Sequence, residues 1–240
     1  MWFGSFFMFL FTGGDHSLLA IFPLPSLEHT IALCSIIPLI PFSNSHDHQK
    51  YLDQAMVGLL LGDGTLRKKY EGGSTYFKFA QGQVNSDYLH HVFDIFKHAG
   101  YVLMDAPSLG KSVVKGKVYQ WYQFSTQSIP AWNALHALWY VNGVKVVPAN
   151  IFDLLTPVSL AYWHMDDGGW NKGGINLNTN SFTKAEVTLL AEVLRTKFGL
   201  KCSVQSRNRL YIWSGSTAQF CDLIRPYVHP SMVYKITPLV

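Results

Sequence analysis

The sequence predicts an α+β fold made of two similar halves, each running helix, two strands, helix, two strands, helix. Three observations carry this expectation. Residues 55–64 (Ala-Met-Val-Gly-Leu-Leu-Leu-Gly-Asp-Gly) and 159–169 (Ser-Leu-Ala-Tyr-Trp-His-Met-Asp-Asp-Gly-Gly) can be laid over one another. Each reads as a buried helix whose last turn delivers a carboxylate just where Gly ends it. The same order of elements then follows each segment, with apolar residues at helical spacing or alternating with polar ones.

A carboxylate at the end of an otherwise apolar helix is poor packing, because burying it unpaired is costly. One Gly-Asp-Gly alone reads as a turn. Two in matching contexts read as one site built twice, and that pattern favours a metal-dependent enzyme.

Taken in order, the first motif helix is expected over residues 51–62, followed by strands at 65–69 and 75–81 joined by Glu71-Gly72-Gly73. Asn85-Ser86-Asp87 can cap a helix whose apolar face is Leu89, Val92, Phe93 and Phe96, ending at Gly100. Strands near 112–114 and 118–125 come next, with Gly116 between them. Pro130 then opens a helix carrying Trp132, Leu135, Leu138 and Trp139. In the second half, residues 160–166 form the motif helix and residues 175–180 (Ile-Asn-Leu-Asn-Thr-Asn) alternate as a half-buried strand should. Ser181 or Thr183 caps a helix through Val187, Leu190, Leu194 and Phe198, closed by Gly199. Residues 202–206 and 210–213 make the last hairpin, and 217–228 the closing helix. Tyr140-Val141 and Tyr227-Val228 end matching helices, each followed closely by a lysine, Lys145 or Lys235.

The chain has 240 residues, enough for an ample core. Apolar residues make up 48% and charged residues 14%. The formal charge is +4 and uneven: residues 1–49 hold Asp15, Glu28 and Asp47 but no Lys or Arg, so the rest of the chain carries all 19 bases. A basic body suits a polyanionic partner. Cys34, Cys202 and Cys221 are too few and too scattered for a disulfide framework or zinc site, and read as buried thiols.

Residues 1–49 read as an apolar appendage outside the main fold, with residues 50–150 and 151–240 as the two halves. The phenylalanines at 3, 6, 7, 9 and 11 crowd one stretch, and a second apolar run at 31–42 is broken by Pro38 and Pro41. Neither reaches the ~18 uninterrupted apolar residues of a spanning helix. A positive signal-peptide start and transit-peptide arginines are both missing. Residues 43–48 then read as the linker, with His46 and His48 as polar linker residues.

On its motif segments the chain resembles the LAGLIDADG homing endonucleases, specifically the single-chain kind with two motif copies. Residues 56–64 and 160–168 fall in register with the nine-letter motif, and Leu160-Ala161 and both Asp-Gly endings match outright. Residues 160–169 and the closing segment 228–235 (Val-His-Pro-Ser-Met-Val-Tyr-Lys) are similar to one subgroup. The resemblance covers about residues 50–240. It implies a pseudo-twofold fold in which the motif helices pack at the centre and two antiparallel sheets form a saddle over DNA. Gly58 and Gly62, one turn apart on one helix face, let two backbones approach. Tyr162 and Asp166 stand at the matching positions, so the halves are not interchangeable and the implied DNA target is long and asymmetric.

The resemblance also implies a site-specific, intron-encoded double-strand endonuclease using Mg²⁺ (or Mn²⁺), acting as a monomer inside an organelle, the mitochondrion before the plastid. Asp63 and Asp167 are the expected metal ligands, with the carbonyls of Gly62 and Asp166 added by resemblance. Asp167 is chosen over its neighbour on register with Asp63. Lys145 and Lys235 are expected near the scissile phosphates, stabilising charge or assisting proton transfer. The expected DNA-facing side chains are Arg67, Lys69, Lys78, Gln81, Lys117, Tyr119 and Gln123 in the first half, then Lys172, Asn176, Asn178, Asn180, Gln205, Arg207 and Arg209. Two alternatives stand: an RNA-binding maturase assisting its host intron, alone or together with nuclease activity, and a DNA-binding relic or membrane-attached protein.

Overall fold

The computed structural model describes residues 45–237. The N-terminal appendage and Cys34 therefore fall outside the described residues, apart from residues 45–49.

Helix α1 (Ser45–Leu61) is apolar over most of its circumference, as a central helix must be. It leads into β1 (Thr65–Lys68) and β2 (Thr75–Gly82), α2 (Ser86–His98), β3 (Ser108–Val114), β4 (Lys117–Ser125) and α3 (Trp132–Trp139). A small hairpin, β5 (Tyr140–Val141) and β6 (Val144–Lys145), and a one-turn helix α4 (Ile151–Leu154) connect to the second half. That half repeats the order: α5 (Pro157–Asp167), β7 (Gly168–Asn171), β8 (Gly174–Leu177), α6 (Lys184–Phe198), β9 (Cys202–Val204), β10 (Leu210–Ile212) and α7 (Ser214–Ile224). Each half holds a four-stranded antiparallel sheet, ordered β1-β2-β4-β3 and β7-β8-β10-β9. Matching strands occupy matching places, so the duplicated α+β architecture is present in full.

The two motif helices pack along each other at the centre, and the sheets leave them from the same end. Two glycines permit this. A Cβ on Gly58 would lie 2.2 Å from the carbonyl oxygen of Ser159, and one on Gly62 would lie 2.4 Å from Oδ2 of Asp166. The second helix fills the space the first leaves, placing Tyr162 against Gly58 and Asp166 against Gly62. Around this seam each half builds its own core. Phe77 stacks on Phe96 at 4.6 Å beneath the first sheet, and Ile175, Leu177, Leu190, Leu210, Ile212 and Phe220 are buried beneath the second.

Local signals explain the better-defined boundaries. Thr156 and Ser159 form a capping box with Pro157 opening α5, and Thr183 with Glu186 forms another on α6, ended by Gly199 at φ 67°. Lys115-Gly116, Asn142-Gly143 and Lys172-Gly173 close tight hairpins with positive φ at both positions.

Several expected boundaries move. The first motif helix begins at Ser45, so His46, Asp47 and His48 are helical rather than linker. The tertiary anchor is Gln49, which accepts from the Tyr101 hydroxyl and donates to Asp53 one turn on. The strand expected at 175–180 ends at Leu177, because Thr179 turns its hydroxyl to the carbonyl of Asn208; Asn178 and Asn180 thus lie beyond it. Strand β3 starts at Ser108 rather than near 112. The closing helix spans Ser214–Ile224, since Pro226 lies in a separate turn of 3₁₀ helix, Arg225–Tyr227. Asn85 does not cap α2 with its side chain, which points to Gln81 instead. Cys202 and Cys221 are free, buried thiols, as expected. Among the described residues no helix is long and apolar enough to cross a membrane.

Candidate functional site

The seam between α1 and α5 ends in three carboxylates, Asp63, Asp166 and Asp167, of which Asp166 sits across the seam from Asp63. Oδ2 of Asp166 accepts the backbone N–H of Asp63 at 3.0 Å, and its Oδ1 accepts the hydroxyl of Tyr88 at 2.8 Å. Burial, then the charge of Asp63, push the Asp166 carboxyl well above its ordinary value, against the pull of the Tyr88 hydrogen bond. Asp167, next along α5, is raised to about 6 by burial and by the Asp63 charge, with Lys235 and Lys145 opposing. Asp63 itself is exposed, and its Oδ2 accepts Nε2 of Gln81 at 2.6 Å.

The two expected lysines are brought to the site symmetrically. Lys145, at the end of the β5–β6 hairpin, donates to the carbonyls of Gly62 at 3.1 Å and Gly64 at 2.7 Å. Lys235, on the terminal 3₁₀ turn Pro230–Lys235, donates to the carbonyls of Met165 and Asp166, the latter at 3.0 Å. Burial lowers both ammonium groups, Lys145 to about 8, while the carboxylates Asp166, Asp167 and Asp63 act to raise them. The carbonyls of Gly62 and Asp166, assigned to a metal on resemblance, are thus each already accepting a lysine.

His164 fixes the backbone of the second lysine, a role with no signal in the sequence. Buried within α5, it donates from Nε2 to the carbonyl of Lys235 at 2.9 Å. Its ring lies so close to Gly168 that a Cβ there would sit 1.9 Å from Nδ1, which explains the glycine.

The carboxylate and carbonyl oxygens at this seam have the composition a hard divalent cation prefers. Among the described residues, no three His, Cys, Asp or Glu side chains converge into a closed cage. Any ion held here would need water or ligand oxygens to complete its shell. Among the described residues no hydrogen bond holds the carboxylate of Asp167, so it is available as a ligand.

The expected DNA-facing residues divide. In the first sheet, Thr65 pairs with Lys78, Arg67 with Tyr76, Ser125 with Lys78, Gln123 with Ala80, and Tyr119 with Ser112. Paired and alternate residues share a face, so Arg67, Lys78, Lys117, Tyr119 and Gln123 stand together opposite the core face of Phe77, Phe79 and Phe124. In the second sheet Asn176 pairs with Gly169 and with Tyr211, opposite buried Ile175 and Leu177. Gln205 is exposed just past the end of β9, and Arg209 half-buried. Lys69, Lys172 and Arg207 are exposed at hairpin turns, the last two at φ 49° and 60°. Asn178 and Asn180 are exposed beyond the strand end.

Gln81 is the exception. It lies on the core face, 8% exposed, and holds Asp63, while Asn85 donates to its Oε1 at 3.1 Å. It was expected among the DNA-facing strand side chains; only the β2 register shows that it faces inward. Two aromatic side chains also escaped notice. Trp121 lies across Gly110 on the open face of the first sheet, and Tyr211 across Gly174 on the second, each where a Cβ would collide with the ring.

Comparison with known proteins adds to this geometry. Residues 53–220 match the model of the LAGLIDADG DNA endonuclease family. The chain is 33% identical over 237 residues to "Cytochrome b mRNA maturase bI2" of Debaryomyces hansenii, covering 95% of this chain and 90% of that one. It is 34% identical to "Intron-encoded endonuclease ai4" of Dictyostelium discoideum, covering 60% of this chain and 98% of that one. Among solved structures, it is similar to the homing endonuclease I-WcaI bound to its DNA recognition sequence, with a TM-score of 0.73 and 27% identity over 85% of this chain and 97% of that one.

Proposed function

The chain belongs to the LAGLIDADG DNA endonuclease family, and we propose that it is a site-specific, intron-encoded endonuclease that cuts both strands of a long asymmetric DNA target. The observation that carries this reading is the meeting of Asp63 with Asp166 and Asp167 at the seam from which both sheets depart. The open sheet faces, with their Lys, Arg, Asn and Gln side chains, serve phosphates and base edges. The similarity to an endonuclease seen bound to its DNA supports this partner.

Asp63 and Asp167 are the residues that would hold Mg²⁺, with the Gly62 and Asp166 carbonyls beside them. When bound, the ion lowers the pKa of an attacking water and offsets charge on the leaving oxygen. The Asp167 carboxylate, raised by burial and then by the Asp63 charge and held by no hydrogen bond among the described residues, supports this assignment. Lys145 and Lys235 hold their ammonium groups over the helix-end carbonyls, where they offset negative charge on a phosphate brought to the carboxylates. Gln81 aims Asp63 by its amide. The Gly58–Tyr162 and Gly62–Asp166 asymmetry supports an asymmetric target.

A second activity has its own support. A relative covering nearly the whole chain carries the name of a cytochrome b mRNA maturase, so assistance to the splicing of its own intron RNA accompanies the nuclease reading. The same relative supports a mitochondrial setting. The monomeric state expected from two motifs in one chain is part of the proposal.

The test is incubation of the purified protein with Mg²⁺ and the intronless sequence flanking its own reading frame. A staggered double-strand cut, lost on chelation, is expected. Intact DNA under all divalent cations tried would refute the reading.

A further inference from the structure

The two acids of the site are not held alike. The amide of Gly62 bonds to the carbonyl of Gly58, and that of Gly64 to Leu59, both within their own helix end. Between them the amide of Asp63 reaches across the seam to Asp166, itself held by Tyr88. Gln81 and Asn85 then fix the Asp63 carboxylate from the other side.

Among the described residues nothing equivalent serves Asp167. The first helix has Gly62 at the position matching Asp166, so it offers no carboxylate in return. Strand register matches Lys78 to Asn176, since each pairs two residues past its acid, and so matches Gln81 to Thr179. Thr179 is turned away, to the carbonyl of Asn208.

We infer that Asp166 is a positioning residue for Asp63, latched by Tyr88, so that the second half sets the aim of the first acid and the two DNA strands are cut unequally. This rests on the nuclease reading. A carboxylate fixed at both backbone and side chain loses rotational freedom before substrate arrives, which favours the reacting geometry. Asp167 must be ordered by the substrate complex itself.

The experiment compares wild type, Asp166→Ala, Asp166→Asn and Tyr88→Phe. Amide hydrogen exchange is measured without DNA or metal, and nicking is resolved strand by strand. In Asp166→Ala, exchange at Asp63 should rise about ten-fold, the loss of one hydrogen bond, while Gly62 and Gly64 keep theirs. Asp166→Asn retains an acceptor and should restore protection. Asp166→Ala and Tyr88→Phe should slow the same strand, by about ten-fold more than the other. Unchanged exchange at Asp63, exchange rising equally at all three amides, or equal slowing of both strands would each overturn the inference. A wild-type protein that nicks neither strand would instead remove the nuclease reading, leaving exchange at Asp63 to judge the latch.

Discussion

The α-carbon of Gly58 rests against the carbonyl oxygen of Ser159, so close that a methyl group on it would stand 2.2 Å from that oxygen. The contact is backbone to backbone, so no side chain can rotate away to make room. Gly58→Ala must push the motif helices apart at their point of closest approach, and should cost about 1–3 kcal/mol. Urea unfolding would measure it; a variant with wild-type stability would mean the helices are not packed as described.

Asp63 and Asp167 are the proposed ion ligands. Asp63→Asn or Asp167→Asn should lower double-strand cleavage about a thousand-fold or more, ~4 kcal/mol of barrier, while target binding stays close to wild type. Cleavage assays beside gel-shift titrations would separate these effects. Either variant cutting at the wild-type rate would undo its residue's assignment.

His91 offers a pH test away from the carboxylates. It is buried, bonded through Nε2 to the Tyr162 hydroxyl at 2.8 Å and stacked 4.7 Å from the His229 ring. Burial, then the His229 charge, lower it to about 3. The unfolded chain takes up this proton near pH 6.5, and the folded chain only near 3. Between those values the unfolded state binds more protons, so acid favours unfolding. Lowering the pH from 7 to 5 should therefore cost wild type about 2 kcal/mol more than His91→Gln, which does not titrate. Carboxylates common to both proteins cancel in that difference. Parallel urea curves at the two pH values would show it, and equal losses in both proteins would count against a neutral, buried His91.

Arg67, Lys78 and Lys117 share the open face of the first sheet. For those that meet phosphates, replacement by Ala should lower the slope of log K against log salt by about one unit each. Specificity among related targets should change little. A wild-type affinity indifferent to salt would be incompatible with the proposed DNA face.

The architecture is largely legible in the sequence. Two apolar segments ending in Asp-Gly located the motif helices, and Gly199 and Thr183, one of two candidate caps, marked the ends of α6. The first-sheet face was legible only in part: Arg67, Lys78, Lys117, Tyr119 and Gln123 share it, whereas Gln81 lies on the core face, since only the strand pairing fixes which side chains stand together. Harder to see was where a strand stops. Nothing local in Ile-Asn-Leu-Asn-Thr-Asn announces that Thr179 prefers the carbonyl of a residue twenty-nine positions away. The start of α1 was missed for a similar reason, since its anchor, Tyr101, belongs to a later segment.

Alone, the sequence singled out two acids ending matching apolar helices and a lysine following each half, and determined that the halves differ at Tyr162 and Asp166. Those are properties of residue type and spacing, and short-range sterics express them. The tertiary structure decided what each side chain does there. Gln81 faces Asp63 rather than solvent, His164 secures the Lys235 backbone, and Asp166 caps Asp63 across the seam. Each of these joins residues distant in the chain, and a hydrogen bond needs its partner within about 3 Å, which only the packed fold brings about.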